Sequence, residues 1–429
     1  MLFNRKVEIS FSQEDIHILD GQSKICNWLY NKLLDILKED YEKNNNAKKL
    51  LSGRSLRNQV PSLKQEYSFL KSVHSSPLKN TAIRLKDSYI KFFQENNVGY
   101  PKFRAWKKKW FSLYYDEPNK GFKLLDNKNL RISLGKTEDN KRIRVMGRLK
   151  ENLNLRDTDK IKTFRLCKQQ GDRFYAVFTI ERESLRKERK KEKWLSIDPN
   201  HKNFFVAIDY KGESYEVAKL PQLKYWDKAI DRIKSKRDKC NRKARKRKTK
   251  NTKTYYLPSK RWVKLNKALD MAYHRRREQI KSSLYSISNE IAKKYDHVAI
   301  GDYTPSLDTA KYKTMHRSML NQEVIGQLRN TLKWIMERSG KTCSVVDERD
   351  TTKTCFICGH KEKKNPSIRE FTCSKCETHL GRDINSAINI AKKDSLLSGS
   401  DYLEWSLGSP KYTIGWSYVT SKLLFANAK

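Results

Sequence analysis

Residues 355–376 read CFICGHKEKKNPSIREFTCSKC, two C-x2-C knuckles, Cys355 with Cys358 and Cys373 with Cys376, separated by 14 residues. Each knuckle can wrap two thiolates around one ion, and together they complete a tetrahedral four-sulfur zinc site. All four positions are filled, so no position is left for water, and a structural zinc ion rather than a catalytic one is expected. His360 follows the first knuckle. It is not needed as a ligand and reads as a surface histidine. The chain has eight cysteines, and the other four are scattered at 26, 167, 240 and 343. That spacing argues for a metal site and against a disulfide framework.

Carboxylates surround this segment. KTCSVVDERDTTKTC, just before it, ends a β-type run in Asp347 and Glu348. HLGRDINSAINIAKK, just after it, opens a helix-like stretch with Asp383, and far upstream Asp198 closes the strand WLSI. Acids at strand ends and a helix start, distant in sequence, suit two Mg²⁺ ions held ~4 Å apart by hard oxygen ligands. One such ion activates water and the other stabilises a leaving oxygen, the chemistry of phosphodiester hydrolysis. A third apolar run, HVAIGDYTP, ends in Gly301 and Asp302, with no glutamate.

The charge balance names the substrate class. Lys and Arg number 92 against 49 Asp and Glu, a net charge of +43. A small soluble domain needs only about 2–8 charges for solubility, so this excess points to a polyanion, and nucleic acid is the natural one. A merely basic, ribosomal-type protein would not explain the acids and the cysteines. The densest run, KSKRDKCNRKARKRKTK, ends a segment read as a helix over about 222–250. Like charges packed so closely repel unless phosphate neutralises them. Arg242, Lys243, Arg245, Lys246, Arg247 and Lys248 are therefore candidate nucleic-acid contacts. A nuclear-localisation signal could use the same residues. MLFNRKVEISFSQEDI breaks its apolar residues with charges, and no run approaches the ~20 apolar residues of a membrane span. The expectation is an intracellular protein with no membrane partner.

The elements that would hold these residues follow from periodicity. VEISFS alternates as a strand, and ICNWLYNKLLDILKEDY sets Ile25, Trp28, Leu29, Leu33, Leu34 and Leu37 on one helical face. LRISLG, RIRVMGRL, TFRLCK and FYAVFTIE read as short strands of a small barrel or curled sheet joined by the first strand of the chain. Trp106, Trp110, Phe111, Tyr114 and Tyr115 could pack it or touch nucleic acid, and packing is expected for most of them. RESLRKERKKEK (182–193) has no apolar face and reads as a linker. WLSIDPN and FFVAIDYKG open a second domain, with a further helix over 259–295.

IDPN, T-T-K-T-C-x-x-C-G before the ribbon, and C-x-x-C followed by RDINSAINI resemble the TnpB family, RNA-guided DNA endonucleases encoded by insertion sequences. These are similar to compact type V CRISPR effectors, with Fanzor proteins as eukaryotic relatives. The strong match covers about 190–395. The resemblance implies an α+β multidomain chain: a RuvC-like RNase H fold nuclease with an inserted zinc ribbon, preceded by a wedge β-barrel with an inserted helical recognition domain. It divides the chain into barrel (1–12 and 99–181), recognition domain (13–98), linker (182–193), nuclease (194–349 and 381–395), zinc ribbon (350–380) and tail (396–429). It further implies a guide RNA, a double-stranded DNA target beside a short adjacent motif, and two catalytic Mg²⁺ ions. A prokaryotic cytoplasm or nucleoid follows, or a nucleus in a eukaryotic host. Asp198 matches the first catalytic acid and Asp383 the last, in D-x-N-A-A-x-N-I with Ser386 at the first Ala. Arg382, beside Asp383, could meet the scissile phosphate or form a structural ion pair.

The departure from the pattern is Gly301, where most members carry the middle glutamate. Successive strand side chains face opposite sides, so Asp302 points away from where residue 301 would, unless a bulge turns it. Glu348, at the end of the next strand, is the better candidate, as in variants with a relocated glutamate, and Gly301 leaves room for it. Asp347 and Asp350 are its rivals. The leading expectation is a guided, Mg²⁺-dependent endonuclease. The alternatives are a guided repressor that binds without cutting and a transposase or its accessory protein.

Overall fold

A computed structural model of the chain describes residues 2–44, 54–95, 98–105, 109–137, 139–169, 172–183, 192–200, 203–241, 245–248, 254–303, 324–363, 365, 368–397, 412–417 and 422–427. The chain divides into two compact units, Met1–Glu183 and Ser184–Lys429. Most of the expected linker, residues 184–191, lies outside the described residues.

The first unit is an antiparallel sheet with helices inserted after its first strand. β1 (Leu2–Ser10) is followed by α1 (Gln13–Asn44), α2 (Ser55–Glu66) and α3 (Ser75–Gln94), then β2 (Leu113–Tyr115), β3 (Phe122–Leu124), β4 (Asn129–Lys136), β5 (Arg142–Leu149), β6 (Lys160–Gln169) and β7 (Arg173–Glu181). The order in the sheet is β2-β6-β7-β1-β5-β4-β3. The opening strand thus lies between strands met more than a hundred residues later, with Val7 opposite Ala176 and Ile9 opposite Leu149. Its alternation explains the insertion, since Val7 and Ile9 are buried and need both neighbours. The leucine face of α1 is buried as its spacing requires, with Leu29, Leu33 and Leu34 wholly enclosed and Trp28 packed beside them. Phe111 and Tyr115 belong to this core, and Trp106 lies outside the described residues.

The second unit carries β8 (Trp194–Pro199), β9 (Phe205–Asp209), β10 (Ser214–Val217), α4 (Pro221–Asn241), β11 (Arg245–Lys248), β12 (Thr254–Leu257), α5 (Lys260–Lys294), β13 (His297–Gly301), α6 (Ile325–Arg338), β14 (Thr342–Val346), β15 (Glu370–Thr372), β16 (His379–Gly381), α7 (Arg382–Lys393), β17 (Tyr412–Ser417) and β18 (Lys422–Asn427). Its sheet runs β14-β13-β8-β9-β10-β17-β18. β8, β13 and β14 are mutually parallel, and β9 turns back antiparallel to β8. Two strands of the aromatic tail join this sheet, β17 pairing parallel with β10.

Every residue of β8, β9 and β13 is buried, so both faces of the central sheet are covered. Leu195, Ile197, Val298 and Ile300 pack under α5 and α6. The alternate residues face α7: Trp194 packs with Ile384 and Ile388, Ser196 donates to the Ala387 carbonyl, and Ala299 packs with Ile390. By the same parity Asp198 and Gly301 fall on the α7 side.

The basic segment differs from its expected form. The helix stops at Asn241, and residues 245–248 form a strand paired antiparallel with 254–257, Arg245 opposite Leu257. Residues 242–250 offer no apolar side chain larger than Ala244 for a helix to bury. Helical spacing would also stack like charges three and four apart, whereas a strand sends successive charges to opposite faces. None of the described helices is long and apolar enough to cross a membrane.

Candidate active site

The site is built on the α7 face of the second sheet. Asp198, in β8, is 4% exposed, and its Oδ1 accepts from the Ser386 hydroxyl at 2.9 Å. Burial pushes its carboxyl well above the usual carboxylate range, and the charges of Glu348 and Asp383 push it the same way. Glu348 and Asp383, the other two acids expected from the sequence, are thus both near enough to Asp198 for their charges to act on it.

Glu348 reaches the site from the loop after β14. Gly301 and Val346 pair across β13 and β14, and the Asp302 N–H donates to the Val346 carbonyl at 2.8 Å. Beyond this pair the Glu348 side chain folds back over Gly301. A Cβ on Gly301 would lie 1.8 Å from Glu348 Oε1 and 2.5 Å from its Cδ. The carboxylate thus fills the space that a side chain at 301 would enter. Burial raises the Glu348 carboxyl to about 7, reinforced by Asp302 and Asp347 and opposed by the Tyr303 backbone N–H and Arg329. Its Oε1 is buried with no hydrogen-bond partner among the described residues, an orphan that a hard cation would satisfy.

The rival acids do other things. Asp302 is exposed, and its Oδ1 accepts from the Glu348 backbone N–H at 3.0 Å, so it holds Glu348 from outside. Asp347 is held at about 2 by hydrogen bonds from Arg349. Asp350 adopts a left-handed φ of 65° and pairs with Lys353 and Lys361.

Asp383 sits in the first turn of α7, where an acid complements the helix dipole. Its Oδ2 lies 3.5 Å from Asn200 Nδ2 and from Arg369 Nη1, and its Oδ1 lies 3.4 Å from Arg382 Nη2. The Arg382 side chain is 13% exposed and also donates to the Ile368 carbonyl, which ties it into the structure. Arg369 is 39% exposed and is the more open of the two. Arg369 and Arg329 were not expected from the sequence. Each meets the site through a partner more than a dozen residues away, and neither lies in a recognisable pattern. The paired asparagines of NSAIN did carry a signal, since four-residue spacing puts both on one helical face. Asn385 and Asn389 both donate to the Thr351 and Thr354 carbonyls, and Asn385 Oδ1 accepts from the Phe356 N–H.

That loop leads into the four cysteines. Their sulfurs all lie within 4.8 Å of one another, with Cys355 to Cys376 at 3.6 Å and Cys358 to Cys373 at 3.5 Å. A zinc tetrahedron with Zn–S bonds of ~2.3 Å has sulfur–sulfur edges of ~3.8 Å, so the set can hold that ion. Burial raises the Cys355 thiol, while hydrogen bonds from Thr378 hold Cys376 down. His360 stays outside the set and meets it through its backbone: its carbonyl accepts from the Cys355 N–H, and its N–H donates to Cys358. The three carboxylates do not form a cluster of that size among the described residues.

Of the expected nucleic-acid contacts, Arg242 and Lys243 lie outside the described residues, and Arg245–Lys248 are the strand β11. Within the first unit, a cavity of about 1270 Å³ is lined by Lys71, Lys120, Arg131, Lys136, Arg142 and Arg144, with Glu117 as its one acid among the described residues.

Comparison with known proteins fits this geometry. A family model described as Cas12f1-like, TNB domain, matches residues 326–390, from α6 through the cysteines to α7. A "TnpB-like protein" of Acanthamoeba polyphaga mimivirus is 32% identical over 141 residues, 32% of this chain and 27% of that protein. A "putative transposase" of the same virus is 26% identical over 245 residues, 54% of this chain and 46% of its own. The chain therefore spans less than half the length of these relatives. In fold, the chain resembles the protein in a cryo-EM structure of a Cas12f1–sgRNA–target DNA complex. The TM-score is 0.61 at 16% identity, covering 89% of this chain and 83% of that one.

Proposed function

We propose that this chain, a member of the TnpB family, is an RNA-guided, Mg²⁺-dependent DNA endonuclease of a transposable element, with a RuvC-like nuclease in its second unit. The observation that carries the reading is the meeting of Asp198, Glu348 and Asp383. They come from a strand, a loop and a helix, and Glu348 brings a buried oxygen, unpartnered among the described residues, into the space left by Gly301. Repulsion of the buried Asp198 by two neighbouring carboxylates is tolerated where a cation is to be held.

Asp198, Glu348 and Asp383 would hold two Mg²⁺ ions, which when bound supply an activated water and stabilise the leaving oxygen of a phosphodiester. The protein's own groups orient the rest. Ser386 fixes the Asp198 carboxylate. Asn200, Arg369 and Arg382 fix that of Asp383. Arg369 is the group open enough to turn from Asp383 to a substrate phosphate, and Arg329 offsets charge at Glu348. The four cysteines would hold zinc, closing the loop that α7 clamps. Sequence choice would lie in guide–target pairing, with the protein reading duplex shape, backbone charge and a short adjacent motif. The net charge of +43 and the basic cavity of the first unit supply counter-charge for those phosphates.

The test is cleavage, in Mg²⁺, of a plasmid carrying a randomised motif beside a guide-matched target. The protein is co-expressed with the RNA flanking its own reading frame. Cutting by the wild type and not by Glu348→Ala supports the relocated glutamate. Target binding without cutting by the wild type would replace this reading with that of a guided repressor.

A further inference from the structure

Moving the middle acid from a strand to a loop has a mechanical consequence. A side chain at 301 would be held by the ladders of β8 and β14 on either side of β13. Glu348 lies past the last paired residue of β14 and must be held by other means. Most of the ties are to backbone. Asp302 accepts from the Glu348 N–H, and Lys393 Nζ donates to the carbonyls of Asp347 at 2.9 Å and Arg349 at 2.7 Å. Asn385 and Asn389 hold the carbonyls of Thr351 and Thr354.

One pair of side chains does something different. The Ser386 and Thr351 hydroxyls lie 2.9 Å apart, and Ser386 and Thr351 are 0% and 1% exposed. Ser386 continues to Asp198 Oδ1 at 2.9 Å. The Thr351 hydroxyl lies 2.8 Å from the Glu348 carbonyl, and the Thr351 N–H donates to the same carbonyl at 3.2 Å. Each hydroxyl has a single hydrogen. With Asp198 as a carboxylate, Ser386 donates to it, and the one Thr351 hydrogen is shared between the Glu348 carbonyl and the Ser386 oxygen, while the Thr351 N–H also closes the Glu348 turn. Two hydroxyls with no solvent access then run in one direction, each polarising the next.

We propose that Ser386 and Thr351 are positioning residues, a two-link relay that sets the distance between Asp198 and the loop-borne Glu348 and so sets the affinity of the acid site for divalent cations. This rests on the reading of the three acids as a metal site. Neither residue touches the reacting atoms. They act through the carboxylate of one acid and the backbone of another.

The test is a Mn²⁺ titration of the full-length, zinc-loaded protein, followed by paramagnetic resonance or calorimetry. The wild type is compared with Asp198→Ala, Ser386→Ala, Thr351→Val, Thr351→Ser and the double variant Ser386→Ala/Thr351→Val, with zinc content and the melting transition as controls. Removing either hydroxyl is expected to weaken Mn²⁺ binding roughly tenfold, the scale of one hydrogen bond to a charged group. Thr351→Ser, which keeps the hydroxyl, is expected to restore the wild-type value. The double variant should be no weaker than the worse single one, because the two links are one chain. Wild-type Mn²⁺ affinity in Ser386→Ala and Thr351→Val, where Asp198→Ala abolishes binding, would overturn the relay while leaving the acid site in place. So would single-variant losses that simply add, or a loss of zinc and fold in both single variants, which would make the hydroxyls structural. Equal Mn²⁺ binding by the wild type and Asp198→Ala would remove the acid-site reading, and the relay with it.

Discussion

Gly301 and Glu348 share one place in the second unit: a Cβ on the glycine would lie 1.8 Å from Glu348 Oε1. No real pair of atoms tolerates that approach. Gly301→Ala should therefore expel the glutamate and lower guided cleavage at least a hundredfold, on the scale of removing a group that acts in the transition state. Gly326→Ala is the control, since nothing lies within 4 Å of its added methyl. Circular dichroism and plasmid cleavage measured side by side check it. If Gly301→Ala cuts as the wild type does, Glu348 does not act from where it stands.

The same geometry separates the acids by role. Glu348→Gln keeps the shape and removes the charge, and it should abolish cleavage. Asp302→Asn keeps an acceptor for the Glu348 N–H and should stay within a few-fold of the wild type. Asp302→Ala loses it and should fall by about tenfold, the scale of one backbone tie. Asp347→Ala and Asp350→Ala remove ion pairs exposed to solvent and should cut normally. Single-turnover rates at saturating Mg²⁺ would rank them.

How much of this could be read from the sequence depended on how local the signal was. Four thiols within 22 residues declare a metal site with no partner elsewhere. Strand parity alone sends residues 301 and 302 to opposite faces, but that 198 shares the face of 301 follows only from the register of β8 with β13. The basic run was misread because a charge run has no period of its own. Whether residues 245–248 are helix or strand is decided by 254–257, a pairing invisible to any local window. Arg329 and Arg369 escaped notice for a related reason, each meeting the acids only through the fold, and Thr351, though part of the quoted T-T-K-T-C, had no legible partner until α7 was placed beside it.

Burial sets a pH dependence. The Glu348 carboxyl stands near 7, so in the metal-free site it is protonated below that value and ionised above it. Ligation needs the carboxylate. Apparent affinity for Mg²⁺ or Mn²⁺ should fall at least tenfold per pH unit below 7, as Glu348 and the raised Asp198 both take up protons in competition with the metal. Calorimetry in two buffers of different ionisation enthalpy would count those protons. Glu348→Gln should remove one proton from the release and make the limb less steep, leaving the part due to Asp198; an unchanged limb would assign the titration to another group.

The cysteines should be needed for cleavage without taking part in it. Metal analysis is expected to find one zinc per chain, and none in Cys355→Ser/Cys373→Ser. Because α7 clamps the loop between Glu348 and Cys355 through Asn385 and Asn389, loss of the ion should loosen Glu348 as well. Hydrogen exchange would show this as faster exchange over 347–356 along with the ribbon. Unchanged exchange at 347–356 in a zinc-free variant would mean that α7 holds the loop unaided.

The basic hairpin offers a test that does not involve the nuclease. Arg245, Arg247 and the two preceding cations, Arg242 and Lys243, belong to the densest positive run in the chain. If they neutralise RNA phosphates, replacing all four with Gln should weaken guide binding and flatten its dependence on salt. Each phosphate contact to a single strand contributes about 0.7 to the slope of log K against log salt concentration, so four lost contacts should lower that slope by about 3. Filter binding between roughly 50 and 200 mM salt spans the range where the difference is largest. A parallel shift with unchanged slope would mean that the variant altered structure rather than phosphate contacts. An unchanged affinity would place the guide on other positive surfaces, the basic cavity of the first unit among them.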